Sequence, residues 1–361
     1  MKITKIVAII ATLCIAISLL ISCAKPVVVM EYKNETVSAN MYSYWLSQIK
    51  SSYVSASNDT DEYWATKYSN GQTYEEKMRE IVDFNVKVNL ICQSLFAEMG
   101  LSVSDKEVEE IKSSLADLLE SYGSKSQLNS FLSKYNINYD MLEEIYMSEL
   151  KTTHVYNALY AKGGSREVSE EDVDKYFKDN YTGFDIIMIF NTVEYEKDEN
   201  GAIKYDETTG SPLTKELTED EKKAKEKIAD EIMTKLENGE SFAELSEKYN
   251  EDPNKDLYKE GYFISSNDIS VYGTEILTAV QSMKTGEVKK VNDSSTICII
   301  KTKELVDKIY NDEDYKNQLG NLKDYCQQSD FNVYMTELAK NVVVNEEELS
   351  KISIKEAELM A

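Results

Sequence analysis

The chain has 361 residues, 65 acidic against 40 basic, and a formal net charge of −25. That balance excludes a nucleic-acid binder, whose phosphate contacts need Lys/Arg patches, and a polybasic membrane-surface segment. The length allows two or three domains, and only three prolines and 13 glycines favour long helices over proline-rich linkers.

Lys2 and Lys5 precede a run, 6–21, that carries no charge. The run is short for a spanning helix and suits a cleaved export signal. It ends in Leu20-Ile21-Ser22-Cys23, which matches a lipobox: a large apolar residue, a small one, then Cys. Residues 1–22 are therefore expected to leave. Cys23 is expected to carry a diacylglycerol whose two chains hold the protein to the outer face of a membrane. Cys14 leaves with the signal. Cys92, Cys298 and Cys326 are scattered and odd in number, so neither a disulfide framework nor a zinc site is expected. No cofactor is expected either.

Residues 27–32 read as a strand turned by Lys33-Asn34, and Ser38 caps a helix through Met41, Trp45 and Ile49. A polar stretch, 51–70, leads to a long helix, 74–99, apolar at Met78, Val82, Ile91 and Leu95 and stopped by Gly100. Ser104 and Glu107 form a capping-box sequence ahead of Val108, Ile111 and Leu115. Helices over 126–135 and 139–160 follow, broken by Gly163-Gly164. Ser169 and Asp172 open one more helix with Val173, Tyr176 and Phe177 on one face.

After Tyr181 the pattern changes. Residues 184–190 are a β-branched run, hence a buried strand. Residues 193–212 are polar, with Asn200-Gly201 at a hairpin turn. Helices are expected over 221–238 and 242–249, a strand or turn over 258–264, a helix over 274–283 and a strand over 296–302. Helices return over 312–341, and 342–344 closes as a strand. The fold class is α+β, with a β-α-α-β-α-β block set between helices.

Four phrases of that block resemble the parvulin family of peptidyl-prolyl isomerases. They are Glu240-Ser241-Phe242-Ala243-Glu244-Leu245 with Tyr249-Asn250-Glu251-Asp252, then Glu260-Gly261-Tyr262-Phe263, Lys284-Thr285-Gly286-Glu287-Val288, and Ile297-Cys298-Ile299-Ile300-Lys301. The flanking helices and the closing strand resemble foldases of the SurA and PrsA type. The resemblance implies a signal over 1–22, a helical chaperone-like domain with its linker helix over 23–181, a parvulin domain over 182–304, and a C-terminal helix and strand over 305–361 that pack on the first domain. It also implies prolyl isomerisation, and holding of unfolded secreted polypeptides outside the membrane of a Gram-positive cell.

The same resemblance implies an apolar cup for the proline ring beside a polar network of two histidines with a Cys or Asp between them. Here the first-strand histidine position falls at about Ile187 and the second at Cys298, so both imidazoles are absent. Asp252 matches the Cys/Asp position and Ser295 a hydroxyl position. Phe263, Tyr272, Ile276 and Met283 are the candidates to line the cup, with plain core packing as their other reading. Asp252 reads equally as a solvated acid before Pro253. Cys298 reads as an inert core thiol rather than a nucleophile. The single histidine, His154, lies outside the block and reads as a satisfied helix residue. The aromatic stretch Tyr42, Tyr44, Trp45, Tyr53, Tyr63, Trp64, Tyr68 and Tyr74 offers either client contacts or a helical core. The segment 194–221 reads as a solvated acidic hairpin. Three functions compete: an isomerase with weak activity, a holdase that only binds clients, and a solute-binding lipoprotein. The long helical start speaks against the third, which needs two α/β lobes.

Overall fold

The computed structural model describes residues 26–360 apart from Lys197, Gly201, Asn267 and Ser294, with backbone alone at 269–271. The expected signal, Cys23 and Gly201 of the expected turn lie outside the described residues. The chain divides into two compact units: Val168–Gln328, and the residues before it together with those after it. Among the described residues no helix is long and apolar enough to cross a membrane.

The first unit opens with a hairpin, β1 (Val28–Tyr32) and β2 (Glu35–Ser38). Sequence reading found β1 but took Ser38 only as a cap; its hydroxyl does accept from Met41 N at the start of the helix Ala39–Tyr53. The polar stretch holds a short helix, Asp61–Ala65, because Trp64 buries its ring and donates to Asp59. Helices Tyr74–Glu98 and Tyr139–Tyr160 pack together, burying Val82, Val86 and Leu90 on one and Leu142, Ile145 and Val155 on the other. The capping box at Ser104 and Glu107 forms, satisfying two orphan donors of the helix Asp105–Tyr122. His154 meets Glu107 at 2.7 Å, so it is a partnered helix residue. Of the aromatic stretch, Tyr42, Tyr44, Trp45 and Trp64 are buried while Tyr53 and Tyr68 stay exposed.

The second unit begins with the helix Glu170–Asn180, opened by the Ser169–Asp172 capping box. It continues into β3 (Tyr181–Phe190) and a hairpin of β4 (Val193–Tyr195) and β5 (Thr214–Glu216). Helices Glu219–Glu237 and Phe242–Tyr249 follow, then β6 (Tyr262–Ser265), the helix Ile269–Ser282 interrupted at Gly273, β7 (Val288–Asn292) and β8 (Thr296–Lys303). The strand expected over 258–264 begins only at Tyr262. β7 was not expected. The four strands form an antiparallel sheet in the order β6-β3-β8-β7.

The sheet is apolar on both faces. Ile187, Ile189, Ile297 and Ile299 pack with Ala229, Ile232, Phe242 and Leu245 of the two preceding helices. Phe184, Ile186, Cys298 and Ile300 pack on the other side with Ile264, Ile276 and Val280. The helical stretch expected over 312–341 is divided at Gly320, whose φ is +65° and where an added Cβ would lie 2.6 Å from the Tyr325 hydroxyl. It becomes Glu313–Leu319 and Leu322–Ala339. The last strand, β9 (Val343–Val344), pairs with β1 in the first unit.

Candidate functional site

β6 covers the free edge of β3 only as far as Phe184. Beyond it, Ile186, Met188 and Phe190 would present unpaired backbone groups in a buried place. The segment after the helix Phe242–Tyr249 supplies the missing partners. The Asn250 carboxamide accepts from Met188 N at 2.8 Å and donates to Ile186 O at 2.9 Å. Glu251 N donates to Met188 O, and the Glu251 carboxylate accepts from Phe190 N. A side chain thus stands in for a strand, and the residue that follows, Asp252, is pinned beside the sheet.

Asp252 is 4% exposed. Its Oδ1 accepts from Asn254 N at 2.9 Å, and its Oδ2 accepts from the Tyr262 hydroxyl. Burial, and then that hydrogen bond, push the Tyr262 phenol well above its ordinary value, so it stays a proton donor. Tyr262 is placed by Gly261, whose φ of +81° and whose contacts leave no room for a side chain: a Cβ there would lie 2.5 Å from Asp185 Oδ1 and 2.7 Å from Phe184 O.

The sheet face beside Asp252 carries an apolar cluster, the candidate proline cup. Phe184, Ile186, Ile264, Ile276 and Cys298 are buried in it, and Met188, Tyr262, Tyr272 and Met283 are partly exposed at its margin. Tyr262 stacks on Phe184 and Tyr272 meets both edge-on, with ring centres 5.7–6.3 Å apart. Asp252 also touches two open clefts, of about 730 Å³ and 510 Å³. The first is lined by Asn250, Tyr258, Tyr262 and Lys301, the second by Phe190, Tyr195, Tyr249 and Pro253.

The expected site residues fall as follows. Tyr272, Ile276, Met283 and Cys298 come to one face, with Asp252 bonded to its rim residue Tyr262. Phe263 does not join them: it is buried on the other side of β6 against Phe177 and Tyr315. The side chain that faces the cup is its neighbour Tyr262. Ile187 packs on the opposite face of the sheet from Cys298; the residue directly across from Cys298 is Met188. Ser295 serves through its carbonyl, which accepts from Asn191 N, while the hydroxyl beside Cys298 Sγ belongs to Thr296, at 3.5 Å. Cys298 is fully buried, and burial pushes its thiol up to about 11, which suits a core residue and not a nucleophile. Strand alternation would have found Tyr262 once Ile264 was placed in the core. The role of Asn250 had no sequence signal, since it depends on where the edge of β3 is left open.

Residues 38–155 match the family model of the bacterial trigger factor protein C-terminus, and residues 211–304 match that of the PPIC-type PPIASE domain. Foldase protein PrsA of Caldanaerobacter subterraneus subsp. tengcongensis is 24% identical over 268 residues, covering 73% of this chain and 68% of that protein. The crystal structure of PrsA from Bacillus subtilis is 20% identical, covering 81% of this chain and 93% of that one, with a TM-score of 0.24. That of the peptidylprolyl isomerase PrsA from Bacillus cereus is 21% identical, covering 80% and 95%, with a TM-score of 0.27. The sequence phrases, the two family matches and the curated relative agree: this chain is similar to foldases of the SurA/PrsA type and carries a parvulin-type peptidyl-prolyl isomerase domain.

Proposed function

We propose that the protein is a lipid-anchored, extracytoplasmic folding factor that catalyses X-Pro isomerisation weakly and holds unfolded secreted polypeptides. The single observation that carries the catalytic part is a buried carboxylate, Asp252, fixed beside an apolar cup. The reaction twists an amide across a barrier of about 18–20 kcal/mol and breaks no bond, so no nucleophile is needed. Resonance in the planar amide puts negative charge on the carbonyl oxygen, and twisting withdraws it. A fixed negative charge near that oxygen therefore disfavours the planar state relative to the transition state, and an apolar cup favours the less polar twisted amide. Burial is the main cause of the upward shifts of the Cys298 thiol and the Tyr272 phenol, and the Asp252 carboxylate adds a smaller push in the same direction.

Neither the first-strand position near Ile187 nor Cys298 carries a histidine, and this favours a second reading in which the domain only binds clients. One experiment separates the two: cis–trans exchange of an X-Pro peptide measured by NMR with the mature chain and with Asp252→Ala. Weak catalysis above buffer, reduced about tenfold by Asp252→Ala, supports the first reading; that loss equals about 1.4 kcal/mol of transition-state stabilisation. Wild-type exchange equal to buffer leaves a holdase. The anchoring rests on the lipobox, and the outer-face location follows from it. Undiminished incorporation of a lipid precursor into Cys23→Ala would remove both.

A further inference from the structure

We infer that Tyr262 and Asn250 form a positioning clip for Asp252 that takes over the work of the absent imidazole network; this rests on the reading of the domain as an active isomerase. The Asp252 carboxylate has no basic side chain at ion-pair distance among the described residues. Among the described residues its one side-chain donor is the Tyr262 hydroxyl, and its backbone N–H donates to the Asn250 carboxamide at 3.1 Å. That carboxamide is in turn locked to Ile186 O and Met188 N in the middle of β3.

The chemistry of these partners matters. A buried carboxylate without hydrogen bonds takes up a proton or turns toward solvent. A cationic partner would hold it but cancel its field. A phenol holds it by a hydrogen bond and brings no opposing charge, so the negative potential directed at the cup survives. Tyr262 is itself fixed by stacking on Phe184 and by the close approach of the chain at Gly261. Asn250 sets the backbone of Asp252, and Tyr262 sets its side chain. Neither need touch the amide being twisted.

The test uses the mature chain and X-Pro exchange by NMR, with kcat and KM separated. Tyr262→Phe keeps the ring and its stacking and deletes only the donor. It should lower kcat about fivefold and leave KM within about twofold, equivalent to about 1 kcal/mol at the transition state. Asp252→Asn should lower kcat by a similar or larger factor. The double variant should be no slower than Asp252→Asn alone, because the hydroxyl acts through the charge that is already gone. A wild-type kcat in Tyr262→Phe, or two losses that multiply in the double variant, overturns the clip while leaving the isomerase reading intact. Wild type equal to buffer overturns both.

Discussion

Replacing Asn250 by Ala should cost more stability than its place just past a helix end would suggest. The side chain closes two backbone groups of β3, Met188 N–H at 2.8 Å and Ile186 C=O at 2.9 Å, and is 7% exposed. Removing it leaves two donors, Met188 N–H and Asp252 N–H, and one acceptor, Ile186 C=O, without this partner. Each buried orphan costs about 1–3 kcal/mol, and the adjoining clefts let water recover part of that, so the expected loss is about 2–3 kcal/mol. Asn250→Asp keeps the acceptor for Met188 but turns a second acceptor toward Ile186 O and places a charge beside Asp252; it should lose at least as much. The readout is urea unfolding of the mature chain, followed at the second unit, together with hydrogen exchange at the Met188 amide. A loss under about 0.5 kcal/mol with unchanged protection at Met188 refutes the idea that a side chain completes this sheet edge.

Gly261→Ala should lose about 2–3 kcal/mol, from a left-handed backbone plus contacts with Asp185 Oδ1 and Phe184 O that are too close for a Cβ; urea unfolding checks it, and a near-neutral result contradicts the close approach. In the first unit, Lys50 is fully buried, pairs with Asp59 at 2.8 Å and donates to the carbonyls of Lys355 and Ala357. Lys50→Met should cost about 2–4 kcal/mol and speed amide exchange after Ile354; unchanged exchange there would show that this lysine does not hold the C-terminal segment. With its thiol pushed up to about 11, Cys298 is only about one part in a thousand thiolate at pH 8, so iodoacetamide should label it at least about a hundredfold more slowly in the native chain than in urea. Equal rates contradict its place in the floor of the cup.

The parts of the fold that were legible are those whose signal is local. Ser104 with Glu107 and Ser169 with Asp172 announce helix starts because the capping hydrogen bonds lie within four residues, and both form. β3 and β8 announce themselves by unbroken apolar runs. The same unbroken runs conceal which residue faces which side: a strand buried on both faces has no alternation to read, so nothing local distinguishes Ile187 from Met188. β7, Val-Lys-Lys-Val-Asn, is an edge strand defined by pairing with β8, and its own residues are mostly exposed. Tyr262 and Phe263 are adjacent aromatic residues, and only the pairing of β6 with β3 decides which enters the cup. The Asn250 bridge was illegible for the same reason. It is a contact across more than sixty positions, and a polar residue at a helix end reads as a cap.

The register of β3 therefore makes its own prediction about how catalysis can be strengthened. Met188 lies directly opposite Cys298, both on the cup face, and directly opposed side chains on one sheet face approach closely enough to interact. Ile187 faces the other core, fully buried with Ile299, Ala229 and Ile232. Installing histidines at Met188 and Cys298 together should place two imidazoles side by side on the face that also carries Tyr262, and raise kcat/KM by about tenfold or more. Met188 is on the rim and tolerates the change. Cys298 is fully buried, so the larger ring there should cost about 1–3 kcal/mol through overpacking. Histidines at Ile187 and Cys298 should instead put one polar ring into the aliphatic core under the two helices, losing about 3–5 kcal/mol without a gain in rate. X-Pro exchange by NMR and urea unfolding of both double variants decide between them. A faster Ile187 variant beside an unimproved, folded Met188 variant would mean that the cup lies on the other face of the sheet, and that Asp252 and Tyr262 are neighbours of a structural core instead of a prolyl site.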